Sequence, residues 1–283
     1  MTETSPPDTD RRSESSPGRL RSAGHWWMNS PLTLWVSITV LVLIVIAAAL
    51  VVVSTSGDDR PGARPAAPTP APATEHPGGE GFGPPTADAL GRPVTTPHNP
   101  DGQALPQQPV ARGPYTAGEQ LPAPEGLEWQ RTSGAVLPFS TSDGPGRITG
   151  ELPYDFARTP QGAALAGYQL PMRGLVDDRT YRNITENLAV RTPEVDAALA
   201  DLEPFDAREI AVAAPRPAAF RITGWIEGEF AAIQYALPAG RHGPYRVTNS
   251  EVVWQDGQWK IRDAAAMAVG EKNITTLAGW TLW

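Results

Sequence analysis

The sequence predicts an α+β domain over residues 126–283, carried outside a membrane on one N-terminal transmembrane helix and a long Pro-rich stalk. Three observations carry this reading. An uncharged apolar run occupies Leu32 to Val53. Prolines crowd the stretch that follows, with 16 of the chain's 31 between Gly57 and Glu125. Beyond them, helix-start signals give way to alternating apolar and polar runs, the order of helices before an antiparallel meander.

Residues 1–31 are polar and rich in Ser and Pro, a composition that cannot bury a core and predicts a disordered tail. The run 32–53, which includes Leu32, Trp35, Leu43 and Val53, is uncharged over 22 residues. As a helix it spans roughly 33 Å, against about 30 Å of bilayer hydrocarbon. Trp26 and Trp27 precede it, where aromatic rings favour the headgroup layer. Arg11, Arg12, Arg19 and Arg21 lie before the run, and only Arg60 and Arg64 closely follow it. The positive-inside bias then places the N-terminus in the cytoplasm and the C-terminal domain outside the cell, as a single-pass protein of the cell membrane. A cleaved signal peptide is the rival reading, with cleavage near Ser54-Thr55-Ser56. Its apolar region would ordinarily be shorter than this one.

Residues 54–125 are read as a linker. Pro alternates with Ala, Gly and Thr, as in Pro65-Ala66-Ala67-Pro68-Thr69-Pro70, and such a segment favours extended polyproline geometry over a core. His76 and His98 lie in it without a metal-ligating cluster.

The domain opens with two short strands, Leu127–Arg131 and Ala135–Phe139. Thr159-Pro160 sets an N-cap hydroxyl before a proline at the first helical position, which predicts a helix over Pro160–Gly174 that Pro171 should kink or end early. A second helix is expected over Asp178–Val190. Thr192-Pro193 repeats the start signal for a third, Pro193–Leu202, with Val195, Leu199 and Leu202 on one face. Strands follow at Phe220–Ile226, Phe230–Leu237 and Tyr245–Trp254. Asp256-Gly257 is a hairpin turn signal returning the chain as Gln258–Arg262.

This order, ending in Val253-Trp254-Gln255-Asp256-Gly257-Gln258-Trp259-Lys260-Ile261, resembles the nuclear-transport-factor-2-like fold. The resemblance implies a cone-like domain in which a curved antiparallel sheet wraps helices. A second resemblance rests on Leu137-Pro138-Phe139-Ser140, Gly144-Pro145 and Phe156-Ala157-Arg158-Thr159-Pro160-Gln161-Gly162-Ala163-Ala164-Leu165. These stretches, with the anchor and linker, look like actinobacterial membrane proteins encoded beside conjugation genes. The layout is similar to assembly factors of type IV secretion machines. It implies a scaffold that works through contacts with envelope or transfer-machine membrane proteins, or with copies of itself. Some conjugation scaffolds carry two such domains in tandem, whereas this chain has one.

Composition limits the other readings. No cysteine is present, which excludes thiolate catalysis and Cys-ligated zinc. Residues 126–283 carry 15 Lys and Arg against 19 Asp and Glu, a poor balance for neutralising nucleic-acid phosphates. No Walker loop, nucleophile elbow or metalloprotease motif occurs, and no cofactor is expected. His242 lies between Gly and Pro in a loop; Asp177-Asp178 precede a helix they can cap; Asp155 and Arg158 flank a helix start. Acid–base chemistry needs such groups to converge, so a cell-envelope enzyme is the least supported reading. A small-ligand or sensing domain is the second alternative, because this fold often has a pocket at its open end. The apolar chain end Leu277–Trp283 either packs on the domain or forms a protein contact, which makes Trp280 and Trp283 candidate contact residues.

Overall fold

The computed structural model describes residues 80–240, 243–262 and 269–283. The expected tail and transmembrane run, with Leu32, Trp35, Leu43 and Val53, and the loop residue His242 lie outside the described residues. Among the described residues, no helix is long and apolar enough to cross a membrane.

The order of elements is α+β and mostly antiparallel. A small hairpin, β1 (Thr86–Ala87) and β2 (Pro93–Val94), comes first. Two further hairpins follow: β3 (Glu128–Arg131) with β4 (Val136–Phe139), and β5 (Arg147–Thr149) with β6 (Leu152–Tyr154). Four helices come next, α1 (Pro160–Gly174), α2 (Asp178–Leu188), α3 (Pro193–Ala200) and α4 (Arg208–Ala213). The chain then lays down β7 (Ala219–Ile226), β8 (Phe230–Pro238), β9 (Tyr245–Gln255), β10 (Gln258–Ile261), β11 (Val269–Ile274) and β12 (Thr281–Leu282). These six form one sheet in the order β10-β9-β8-β7-β12, with β11 pairing the first half of β9.

Local chemistry explains most boundaries. Thr159 caps α1, its hydroxyl accepting from Gly162 N at 3.0 Å, and Pro160 follows. Thr192 caps α3 in the same way. Asp256 and Gly257 have φ of 55° and 77°, the doubly left-handed geometry of a two-residue hairpin turn, and Gly accepts it without strain. Pro171 does not end α1 early, and the helix runs on to Gly174. The proline stands one turn from the end, so it removes only a single late backbone bond.

Cross-strand rows give the sheet two different faces. Phe220, Tyr235 and Thr248 form one row, and Ile222, Ile233 and Ser250 the next. These rows face α1, of whose 15 residues 14 are buried. The close approach needs Gly167: a Cβ there would stand 2.8 Å from the Tyr235 hydroxyl and 3.1 Å from Ile233. Tyr235 donates that hydroxyl to the Ala164 carbonyl at 2.7 Å. Trp259 closes the far end of this core and donates its indole N–H to the Ala157 carbonyl at 2.9 Å.

The linker expectation differs from the structure over its second half. Residues 80–125 carry β1 and β2 and then run as an extended strap bound to the body. Val94 is 1% exposed, within the main core. Gln103 and Gln130 exchange hydrogen bonds: Gln103 N donates to Gln130 Oε1 at 2.8 Å, and Gln130 Nε2 donates to the Gln103 carbonyl at 2.8 Å. Further along, Gly118 N reaches the Ile222 carbonyl at 3.1 Å, and Leu121 pairs with the Thr281 hydroxyl. Proline suits this role because an extended strap needs carbonyls and side chains, with few N–H donors.

Candidate functional site

With α1 covering one face of the sheet, the groups presented outward lie on the other face and along the β7 and β12 edge. A polar row crosses that face. Arg221 Nε and Nη2 donate to Gln234 Oε1 at 2.9 and 2.7 Å, and Gln234 Nε2 donates to Asn249 Oδ1 at 2.9 Å. Next to it, Ala219, Ala236 and Val247 line up across three strands and are covered by Trp280, with Tyr245, Ile274 and Leu277 around them. The Arg221 guanidinium sits 4.5 Å from the Trp280 ring centroid, a cation–π contact that holds the chain end down.

Trp280 and Trp283 both pack against the domain, one on each face of the sheet, which is the first of the two alternatives for the chain end. Trp280 is 3% exposed. Trp283 packs beneath the sheet, 4.5 Å from Phe220 and 5.8 Å from Trp129 between ring centroids. Strand alternation is the reason: Thr281 pairs with Phe220 and Leu282 with Ala219, so residues 281 and 283 face α1 while 280 and 282 face outward. Leu282, which the sequence reading passed over, is 58% exposed, as is Ile226 at the opposite end of β7. Phe230 lies half-buried beside Ile226, with Arg262 over its ring.

Among the described residues, the candidate acid–base groups do not converge. Asp155 is exposed and pairs with Arg147 at 3.0 Å. Arg158 donates Nε to the Gly228 carbonyl at 2.7 Å and stacks over Trp254. Asp178 accepts from Phe205 N, and His98 is exposed. Asp177 caps α2, accepting from Thr180 N at 2.7 Å and pairing with Arg208. Burial pushes the Asp177 carboxyl up, but the Thr180 bonds and the Arg208 guanidinium outweigh it, leaving its pKa below the usual value. Such a group stabilises the fold at pH values above its unfolded-state pKa, and that contribution fades as pH falls through the lower folded-state value. Asp177→Ala is expected to cost about 1 kcal/mol near neutral pH, as loss of a helix cap does, and the deficit should shrink in acid. Thermal melts of both proteins at pH 7 and pH 3 measure it; a deficit that grows in acid would contradict the assignment.

Two buried carboxylates are paired within the domain. Asp143 is held by Arg112, Ser142 and Thr159, and Asp88 by Arg92 and Arg216. Arg173 is 3% exposed on α1, where burial lowers its pKa to about 10 despite the pull of Asp101 and Glu151. It donates Nη1 to the Asp101 carbonyl at 2.9 Å, fastening the strap to the helix. Among the described residues, no three His, Asp or Glu side chains gather as a metal site would need.

A family described as "Domain of unknown function (DUF8175)" matches residues 95–282. The match starts inside the strap and takes in the whole sheet. No curated protein and no solved structure matches the chain.

Proposed function

The chain belongs to the DUF8175 family, and we propose that it is a membrane-anchored scaffold component of a conjugative-transfer or type IV secretion-like envelope machine. In this reading Leu32–Val53 anchors the chain, and the C-terminal domain, with a nuclear-transport-factor-2-like arrangement, works outside the cell through protein–protein contacts. The observation that supports it most is the filling of the inner sheet face by α1, which leaves the uncovered part of the outer face to meet partners. Ile226 and Leu282 mark that surface as exposed apolar side chains.

Photo-crosslinking residues placed at Ile226 and Leu282 in native membranes test this. Discrete adducts are expected, either to transfer-machine membrane proteins or to a second copy of the chain. Adducts no more frequent than from the exposed control position Glu209 would overturn the reading.

A further inference from the structure

The outer face of the sheet has a covered end and an uncovered end. Trp280 and Leu277 cover Ala219, Ala236 and Val247. At the other end, strand alternation turns Ala231 and Val252, both at 0% exposure, toward α1 and sets Ile226, Phe230 and Val253 in one row on the outer side. Ile226 is exposed, and Phe230 and Val253 are half-buried. None of the three belongs to either hydrophobic cluster of the domain.

The next outer row is Gly224, Ala232 and Glu251. Gly224 and Ala232 lie side by side: a Cβ on Gly224 would stand 3.3 Å from that of Ala232. Arg262 reaches in from the end of β10. Its Nη1 pairs with Glu251 Oε2 at 3.1 Å, and its guanidinium lies 5.5 Å from the Phe230 ring centroid. Both charged side chains stay accessible, Arg262 at 55% and Glu251 at 42%.

This surface is a floor of small and apolar side chains with one acid–base pair near its middle. A sheet face of this kind is matched by a second sheet, packed at about 10 Å. Two features make that second sheet a copy of the same one. The first is charge. An exposed acid–base pair is its own complement under a twofold axis, which brings each base to the other copy's acid. The second is relief. The β7–β8 half is low, with Gly224 and Ala232, and the β9–β10 half is high, with Glu251 and Arg262. A twofold axis along the line between β8 and β9 lays the high half of each copy on the low half of the other. It also sets Phe230 of one copy against Val253 of the partner subunit. Four strands over three outer rows give a floor of about 19 by 20 Å on each copy, at the small end of specific interfaces.

We propose that the uncovered end of the outer sheet face pairs with the same face of a second copy of this chain, with the two Glu251–Arg262 pairs exchanging partners at the twofold axis. The inference rests on the reading of this face as a contact surface and names its partner. The small area makes the dimer weak, with a Kd of about 10–100 μM.

The chain has no cysteine, so an introduced thiol is unique. Full-length Ala232→Cys in detergent, treated with a short bis-maleimide, is expected to give a covalent dimer and no larger species. Glu209→Cys, exposed on α4, is the control. Sedimentation velocity of the cysteine-free chain over a concentration series gives the Kd. Arg262→Glu and Glu251→Arg should each weaken the dimer by at least about tenfold, because each sets like charges together at the axis. An equal mixture of the two variants should restore it, since each chain then carries the charge the other lacks; damage to the fold could not be rescued in this way. Val253→Arg should weaken the dimer by a similar factor, with no rescue on mixing. The proposal is overturned by a monomer up to about 500 μM, by crosslinking of Ala232→Cys no better than Glu209→Cys, by a dimer indifferent to Arg262→Glu, or by no rescue in the mixture. A monomer here, alongside adducts of Ile226 to other membrane proteins in native membranes, overturns the self-pairing and leaves the contact surface standing.

Discussion

Asp143→Ala is expected to destabilise the domain by about 3–5 kcal/mol, the cost of leaving a buried ion pair without one partner. The Asp143 side chain is fully buried. Arg112 grips it with both terminal nitrogens, at 2.7 Å to Oδ1 and 2.8 Å to Oδ2. Ser142 donates its hydroxyl at 2.5 Å and Thr159 at 2.6 Å. Thr159 is also the cap of α1, so one carboxylate joins the strap, the loop after β4 and the start of the central helix. Its removal strands a mostly buried guanidinium and two hydroxyls at once. Arg112→Met should cost a comparable amount, because it leaves Asp143 charged in the interior. The double replacement should cost clearly less than the two single losses added together. The exposed pair Arg147–Asp155 is the contrast: Asp155→Ala should change stability by less than about 1 kcal/mol. Urea unfolding of the four variants decides the matter. A loss below about 1 kcal/mol for Asp143→Ala would mean that water reaches the site.

Where chemistry is local, the sequence was readable. Thr159-Pro160 and Thr192-Pro193 mark helix starts because cap hydroxyl and proline act within one turn. Asp256-Gly257 marks the β9–β10 turn because few residues accept its dihedral angles. The β7, β8 and β9 strands show their alternation over eight to eleven residues, long enough to be read. Shorter pieces fail for the same reason. The six-residue α4 has no side-chain cap, and β12 has two residues, too few for any period. That is why the chain end drew attention to its tryptophans and not to Leu282: which side chain faces outward depends on the pairing with β7.

A chain that begins at Gly126, the boundary composition suggests, is expected not to fold cooperatively, whereas one that begins at Glu80 should. The strap between them looks like linker because its bonds are almost all remote. Arg112 reaches Asp143, Gln107 Nε2 donates to the Ser140 carbonyl at 2.9 Å, and Gln120 Nε2 donates to the Trp280 carbonyl at 3.1 Å. Removing residues 80–125 deprives buried Asp143 of its counter-charge and buried Gln130 of its Gln103 bonds. It also uncovers Trp225, against which Tyr115 packs at 6.2 Å, and takes Val94 out of the core. The unpaired carboxylate alone costs several kcal/mol, and the whole domain has about 5–15 kcal/mol to lose. A chain beginning at residue 95, where the family match starts, keeps the Asp143 anchor but loses Asp88 and Arg92. It should fold with a lowered melting temperature, since Arg216 is left half-buried without its carboxylate. Circular-dichroism melts of the three chains give the ranking. If the chain from Gly126 melted cooperatively within about 5 °C of the chain from Glu80, the strap would be contributing no more than one or two kcal/mol, and the buried pair could not carry the stability assigned to it.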